Sequence, residues 1–430
     1  MVFWTLFGGL AASVLSGAVL GAALGLTGFA ILWFHAEGAL QIGVQAVWNM
    51  LTTYTLTAVP LFILLGDVLV ASGLAAGVYR AMAPAFARVP GGLLHTNIAV
   101  CTIFGAVSGS SMSVAAAVGS VAYPELSRRG YDRPAVVGSL AGGGTLGLLI
   151  PPSLSLLIYG ALTDTSIGKL FVAGVVPGLM MACLFSAYIA WAARRDPAMA
   201  PERGERMPLG AVLRGMLQVW PLAVMIVAVL GSLFAGIATP TEAAAVGVAA
   251  VILLGFTMGE LTLAKLAGAL MSTTRTFAVV GVVFLGAVVL AQAISLLGLP
   301  QRMLEFVVSM GLSKYAALLI VVVIYLVLGC FFDGLSMMIM TLPIVFPLLT
   351  GLGFDPVWLG VVITVMIEIG MLTPPVGMNL FVLVGLTGGE VQLGPAARAS
   401  VPYWLALLVG VLLMTLVPGI ATWLPSMMRI

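Results

Sequence analysis

FGAVSGSSMSVAAA, Phe104 to Ala117, sets Ser108, Gly109, Ser110, Ser111 and Ser113 in the middle of an apolar run that extends over residues 97–124. That run is too long for one upright membrane span of about 20 residues and too short for two. The polar interruption leaves two short arms, 97–107 and 112–124. This predicts a re-entrant hairpin whose tip is irregular backbone. Such backbone at membrane depth is tolerated only inside protein or beside a wet cavity.

The rest of the chain makes that setting a membrane. Of 430 residues, 62% are apolar and 7% charged, against about 25% charged in a soluble domain. The runs are continuous rather than alternating, which excludes a β-barrel. They predict an all-α polytopic protein with runs at 3–34, 51–78, 97–124, 134–160, 171–192, 217–256, 276–297, 316–349, 357–388 and 402–424. The run 217–256 divides at ATPTE, Ala238 to Glu242, and the N-terminal run is expected to divide near Gly21 to Gly28. A net charge of +2 gives no reason to expect a nucleic-acid partner. Cys101, Cys183 and Cys330 lie in apolar runs and imply no disulfide framework.

Residues 193–215 form the one soluble-looking stretch, read as a linker between repeat 1 (1–192) and repeat 2 (216–430). Gly109, Ser111 and Met112 recur with the same spacing as Gly334, Ser336 and Met337. Pro124, Gly130, Asp132, Gly147, Pro151 and Pro152 recur, again with their spacing kept, as Pro347, Gly353, Asp355, Gly370, Pro374 and Pro375. Between the two sets only the connecting arm is slightly shorter in the second half. Preserved order and spacing identify a duplication. The loop after the first hairpin carries Arg128, Arg129 and Arg133, while its counterpart, GLGFDP, carries no Lys or Arg. Basic loops lie on the cytoplasmic side, so the repeats have inverted topology. Of the 17 Lys and Arg residues, that threading leaves only Lys169, Arg302, Lys314 and Arg429 outside. Each half then has about five spans plus one hairpin.

The second hairpin is expected over 317–349 with its tip at Asp333-Gly334, although a single long tilted span also fits its length. Each hairpin is followed by a broken helix, over 134–160 with Pro151-Pro152 and over 357–388 with Pro374-Pro375. Proline removes a donor and clashes with the preceding turn, so carbonyls near Leu148 to Ile150 and Met371 to Thr373 are expected to be released. Hydroxyls and free carbonyls suit a hard monovalent cation, and unwound helices with such groups coordinate Na⁺ in secondary transporters. The first candidate Na⁺ site combines Ser108, Gly109 and Ser110 with Gly144, Thr145 and Ile150. The second combines Asp333, Gly334 and Ser336 with Met371 and Thr373. A substrate region is expected at Ser111, Ser113, Pro151, Pro152, Ser153, Pro374, Pro375 and Asn379, where half-helix N-termini favour an anion. Close packing of small residues is the competing reading of a Gly-Ser cluster; the duplicated context favours a site. No cofactor other than the coupling ion is expected.

Four acids fall in or beside spans: Asp67, Glu242, Asp333 and Glu368. Asp333 is the expected cation ligand. Glu368 either orients its broken helix or makes a helix-end hydrogen bond, and Asp67 and Glu242 read as structural. His35 and His95 read as hydrogen-bonded interfacial residues.

Together, GSSMSVAAAVGSVAYPEL, RRGYD, GTLGLLIPPS, GIATPTEAAAVG and IEIGMLTPPVGMNLF resemble the large, DctM-like membrane subunit of tripartite ATP-independent periplasmic (TRAP) transporters. The resemblance covers essentially the whole chain. It implies a Na⁺-driven importer of an organic acid in the bacterial inner membrane, fed by a periplasmic substrate-binding protein and working with a small four-helix membrane subunit. No segment is left over for that subunit, so a separate chain is expected. The resemblance also implies an elevator, with a transport domain at about 91–160 plus 315–388 and the remainder as scaffold. A stand-alone Na⁺- or H⁺-coupled anion carrier of the same inverted-repeat superfamily is the alternative. An intramembrane protease is a distant one, because His95 is expected far from the serine tip and no HExxH is present.

Overall fold

The computed structural model describes residues 2–15, 19–86, 88–201, 210, 217, 219–258, 260–375 and 377–428, and among these every regular element is a helix. The first half comprises α1 (Val2–Leu15), α2 (Leu20–His35), α3 (Leu40–Leu51), α4 (Ala58–Ala71), α5 (Leu74–Phe86), α6 (Leu93–Ser108), α7 (Ser111–Arg128), α8 (Arg133–Leu149), α9 (Leu154–Thr163) and α10 (Ile167–Arg195). The second half comprises α11 (Trp220–Phe234), α12 (Pro240–Thr257), α13 (Leu263–Leu296), α14 (Leu299–Ser309) and α15 (Lys314–Gly329). It continues with α16 (Gly334–Gly351), α17 (Pro356–Leu372), α18 (Met378–Leu386), α19 (Leu393–Leu416) and α20 (Gly419–Ser426). Much of the expected linker, 202–209 and 211–215, lies outside the described residues, as does Arg429; α10 itself runs on to Arg195.

By length and apolarity six described helical segments are able to cross a membrane, seven if the bent α4–α5 pair is counted. Five more apolar helices, α2, α6, α11, α15 and α17, are shorter. The fold is the expected all-α membrane architecture of two repeats, each with a hairpin and a broken helix. Both hairpins form. α6 and α7 meet at Gly109-Ser110, and α15 and α16 meet across Cys330 to Asp333, so the second hairpin is not one tilted span. Both helices break at their Pro-Pro pairs.

Three expectations are corrected. The N-terminal run breaks before Leu20, while α2 passes unbroken through Gly21 to Gly28. Those glycines serve contact rather than bending. A Cβ on Gly21 would strike the Val282 carbonyl of α13, and one on Gly28 would lie 2.7 Å from the Leu290 nitrogen. Small residues let two membrane helices approach closely, and α2 packs on α13 more extensively than any other described pair does. Second, 51–78 is not one straight run: α4 and α5 are bent by 69°. Ser72 Oγ donates to the Leu69 carbonyl at 2.6 Å, and Gly73 takes φ +73°, a conformation that suits glycine. Third, α13 begins at Leu263, well before the expected 276, because Thr262 caps it by accepting from Lys265 N.

Packing sorts the helices into two layers. An outer group forms as α13 packs on α2, α3 and α4, and α12 on α4 and α11. An inner group holds both hairpins and both broken helices, and also α10 and α19, which lie against α8 and α17.

Candidate functional site

The inner body is built by exchange between repeats. The second half of the first broken helix, α9, packs on the second hairpin through Tyr159 and Phe346, edge to face at 5.9 Å. The second half of the other broken helix, α18, packs on the first hairpin, where Gly119 makes room for Leu383 and Leu386. Each hairpin also crosses its own broken helix at glycine. A Cβ on Gly105 would lie 2.7 Å from Gly147 Cα, and one on Gly329 would lie 2.5 Å from Gly370 Cα. The tips are thus held against the breaks by backbone-to-backbone contact.

At the first tip, Gly109 ends α6 with φ +62°, and its carbonyl accepts from Leu154 N at 3.4 Å across the first break. Ser110 caps α7 by accepting from Ser113 N at 3.4 Å. Gly144 and Gly147 of α8 face the Ser111 and Ser110 carbonyls, so the tip and α8 share one small enclosure. The hydroxyl oxygen of buried Ser108 has no hydrogen-bond partner among the described residues. Thr145 donates to the Gly142 carbonyl at 2.7 Å, and Ile150 is buried at the break.

Carbonyl release at the first break is smaller than the sequence suggests. The Leu148 carbonyl is taken up by the Ser153 and Ser155 hydroxyls, the latter at 2.9 Å. Ser155 also reaches Thr364 of α17 at 3.3 Å, which ties the two broken helices together. Ser155 and Thr364 are not among the expected residues; a hydroxyl just after Pro151-Pro152 is a signal that could have found Ser155, whereas Thr364, in the middle of α17, carries none.

At the second tip, Asp333 caps α16 by accepting from Ser336 N at 3.1 Å. Gly334 lies against Ile367, with Met371 Sδ 3.5 Å from where its Cβ would stand. Thr373 donates to the Ile369 carbonyl at 2.6 Å. Asp333, Gly334, Ser336 and Met371 stand together at the second tip, and Gly109, Ser110 and Gly144 at the first, whereas the Ser108 hydroxyl lies toward Gly66 of α4, Ile150 packs against Gly178 of α10 and Thr145 turns its hydroxyl to its own helix. The two places differ: Pro151 and Pro152 are buried, whereas Pro374 and Pro375 are exposed and Asp333 is half-buried.

Among the expected substrate residues, Ser111 and Asn379 come together, with Asn379 Nδ2 donating to Ser111 Oγ at 2.6 Å. Ser153 is spent as the cap of α9, accepting from Leu156 N at 3.2 Å. Ser113 is partly exposed beside the first tip.

The acids divide as their surroundings dictate. Glu242 and Thr239 form a reciprocal capping box at the start of α12, and Asp67 accepts from Thr273 of α13 at 2.8 Å. Glu368 is fully buried, and neither carboxyl oxygen has a hydrogen-bond partner among the described residues. In the register that sets Gly147 against Gly370, it stands where the first repeat has Thr145. His35 bonds Thr5 Oγ1 at 2.8 Å, and His95 bonds the Pro90 carbonyl at 2.8 Å.

The family model described as tripartite ATP-independent periplasmic transporter, DctM component, matches residues 7–420. A C4-dicarboxylate TRAP transporter large permease protein of Pseudomonas aeruginosa is 34% identical over 94% of this chain and 93% of its own. Its namesake in Rhodobacter capsulatus is 33% identical over 98% of each. A longer relative, the isethionate TRAP transporter permease protein DctMQ of Oleidesulfovibrio alaskensis, is 30% identical over 96% of this chain and 65% of its own. Among solved structures, the YdaH transporter of Alcanivorax borkumensis superposes with a TM-score of 0.64 at 16% identity, over 91% of this chain and 89% of its own.

Proposed function

The chain belongs to the DctM component family of tripartite ATP-independent periplasmic transporters, and we propose that it is the large permease subunit of a Na⁺-coupled importer of an organic acid. It is a transporter permease rather than an enzyme, and an inner-membrane protein. The observation that carries the coupling is the pairing of a hairpin tip with a helix break, made twice. At the first stands a buried hydroxyl unpartnered among the described residues, and at the second a capping carboxylate. Helix breaks lined by hydroxyls and carbonyls are where secondary transporters hold monovalent cations. Na⁺ site 1 would take Ser108, Gly109, Ser110, Gly144, Thr145 and Ile150, and site 2 would take Asp333, Gly334, Ser336, Met371 and Thr373. Enclosure at the first and openness at the second favour unequal affinities.

Transport would proceed as an elevator, the inner body sliding on the outer layer. Because α10 and α19 pack with the broken helices, the moving part is drawn as residues 93–195 and 314–426 rather than 91–160 and 315–388. A separate small membrane subunit would brace the outer layer; a relative whose name joins M and Q, and of which this chain covers only 65%, supports such a partner. A periplasmic binding protein would deliver the substrate. The relatives named for C4-dicarboxylates favour a carboxylate.

The test is uptake into proteoliposomes by the assembled transporter, with the binding protein and the carboxylate it carries. A Na⁺ gradient should drive uptake, and Ser110→Ala and Asp333→Ala should each abolish it without loss of protein. Uptake that needs no binding protein would make this a stand-alone carrier. Uptake indifferent to Na⁺ would remove the coupling.

A further inference from the structure

Asn379 is fully buried, yet only one end of its amide is used. Nδ2 donates to Ser111 Oγ at 2.6 Å and to the Ala141 carbonyl at 3.4 Å, while Oδ1 has no hydrogen-bond partner among the described residues. A carbonyl only accepts, so Ala141 decides which end of the amide is nitrogen. Leaving a buried amide oxygen unpaired costs about 1–3 kcal/mol, a cost that a leucine of similar volume would avoid. The position beside the first tip gives the oxygen a use. Ser111 directly follows Ser110, and Ala141 lies one turn before Gly144 and Thr145 on α8; Ser108, whose hydroxyl oxygen also has no partner among the described residues, lies two residues before Ser110 with that oxygen toward Gly66 of α4. An amide oxygen repels an anion and attracts a cation.

We propose that Asn379 Oδ1 is a ligand of the cation at the first hairpin, supplied by the second repeat. The proposal rests on the Na⁺ reading of that hairpin. It gives a cation bound in repeat 1 a direct hold on α18, the helix that follows the second break. Occupancy of one site then influences the other through a single side chain, reciprocally.

The readout is the NaCl concentration that half-maximally stabilises the purified transporter complex against heat, with choline chloride holding ionic strength. In an Asp333→Ala background, where the first site alone reports, Asn379→Leu should raise that concentration about tenfold or more. In a Ser110→Ala background, where the first site is already lost, it should change nothing further. Asn379→Asp, which keeps an oxygen, should retain the Na⁺ response. An unchanged half-point for Asn379→Leu, or equal losses in both backgrounds, would overturn the proposal and leave a packing role. Should the leucine variant not fold, a folded Asn379→Asp without a Na⁺ response overturns it as well. Wild type that gains nothing from Na⁺ over choline in any of these comparisons removes the Na⁺ reading itself, and this ligand with it.

Discussion

Asp333 and Ser110 each hold a hairpin tip by capping the helix that follows it, so replacing either has two separable effects. Loss of the cap costs about 1 kcal/mol in any salt, while loss of a cation ligand shows only in Na⁺. Thr239→Ala offers a control far from the tips. It breaks the capping box of α12 and should destabilise by about 1 kcal/mol, as read by thermal unfolding, with Na⁺-driven uptake unchanged. Glu368 is a different case, a buried carboxyl with no partner among the described residues, on the helix that precedes the second break. Glu368→Gln preserves shape and should leave thermal stability within about 1 kcal/mol of wild type; a loss of several kcal/mol would mean that the carboxyl is bound to something after all. The tips, the Pro-Pro breaks and the interruption at ATPTE are legible because polar, glycine or proline residues stand out in an apolar run. The repeat places Ser111 and Asn379 in one expected region, but the bond between them is not legible, since nothing local marks two residues so far apart in the chain as partners.

At the scale of elements, glycine is where reading the sequence both succeeds and fails. Gly109 signals the first tip correctly. Gly21 and Gly28 read as a break, and the structure uses them to seat α2 on α13. Both uses need the missing Cβ, one for φ and one for contact, and a single sequence does not distinguish them. The contact reading predicts that Gly28→Leu separates α2 from α13 and destabilises by at least about 1–3 kcal/mol, measured as a fall in thermal midpoint. Gly281→Ala, on α13 with open space around it, should have little effect. The bend between α4 and α5 escapes because the run on either side of Gly73 stays apolar, so only the paired Ser72 and Gly73 hint at it.

For the whole molecule, inverted repeats make a prediction about sides. With exposed Cys183 first replaced by Ser, a cysteine at Arg129 should react only with a cytoplasmic impermeant reagent and one at Lys314 only with an external one. Reaction from the same side would end the inverted threading. The duplication is readable because Pro-Pro, Gly and Asp recur at constant offsets. Membership of α10 and α19 in the inner body is not, since a packing partner is a property of three dimensions and both helices read simply as apolar spans. The central claim is that cations bind where hairpin tips meet helix breaks. The measurement that tests it most directly is thermal stability in NaCl against matched KCl and choline chloride, for wild type and Asp333→Ala. About 100 Kd of Na⁺ should stabilise wild type by roughly 2.7 kcal/mol, with a smaller Na⁺-specific gain in the variant. Equal stability of wild type in all three salts, or an undiminished Na⁺ gain in Asp333→Ala, would contradict it.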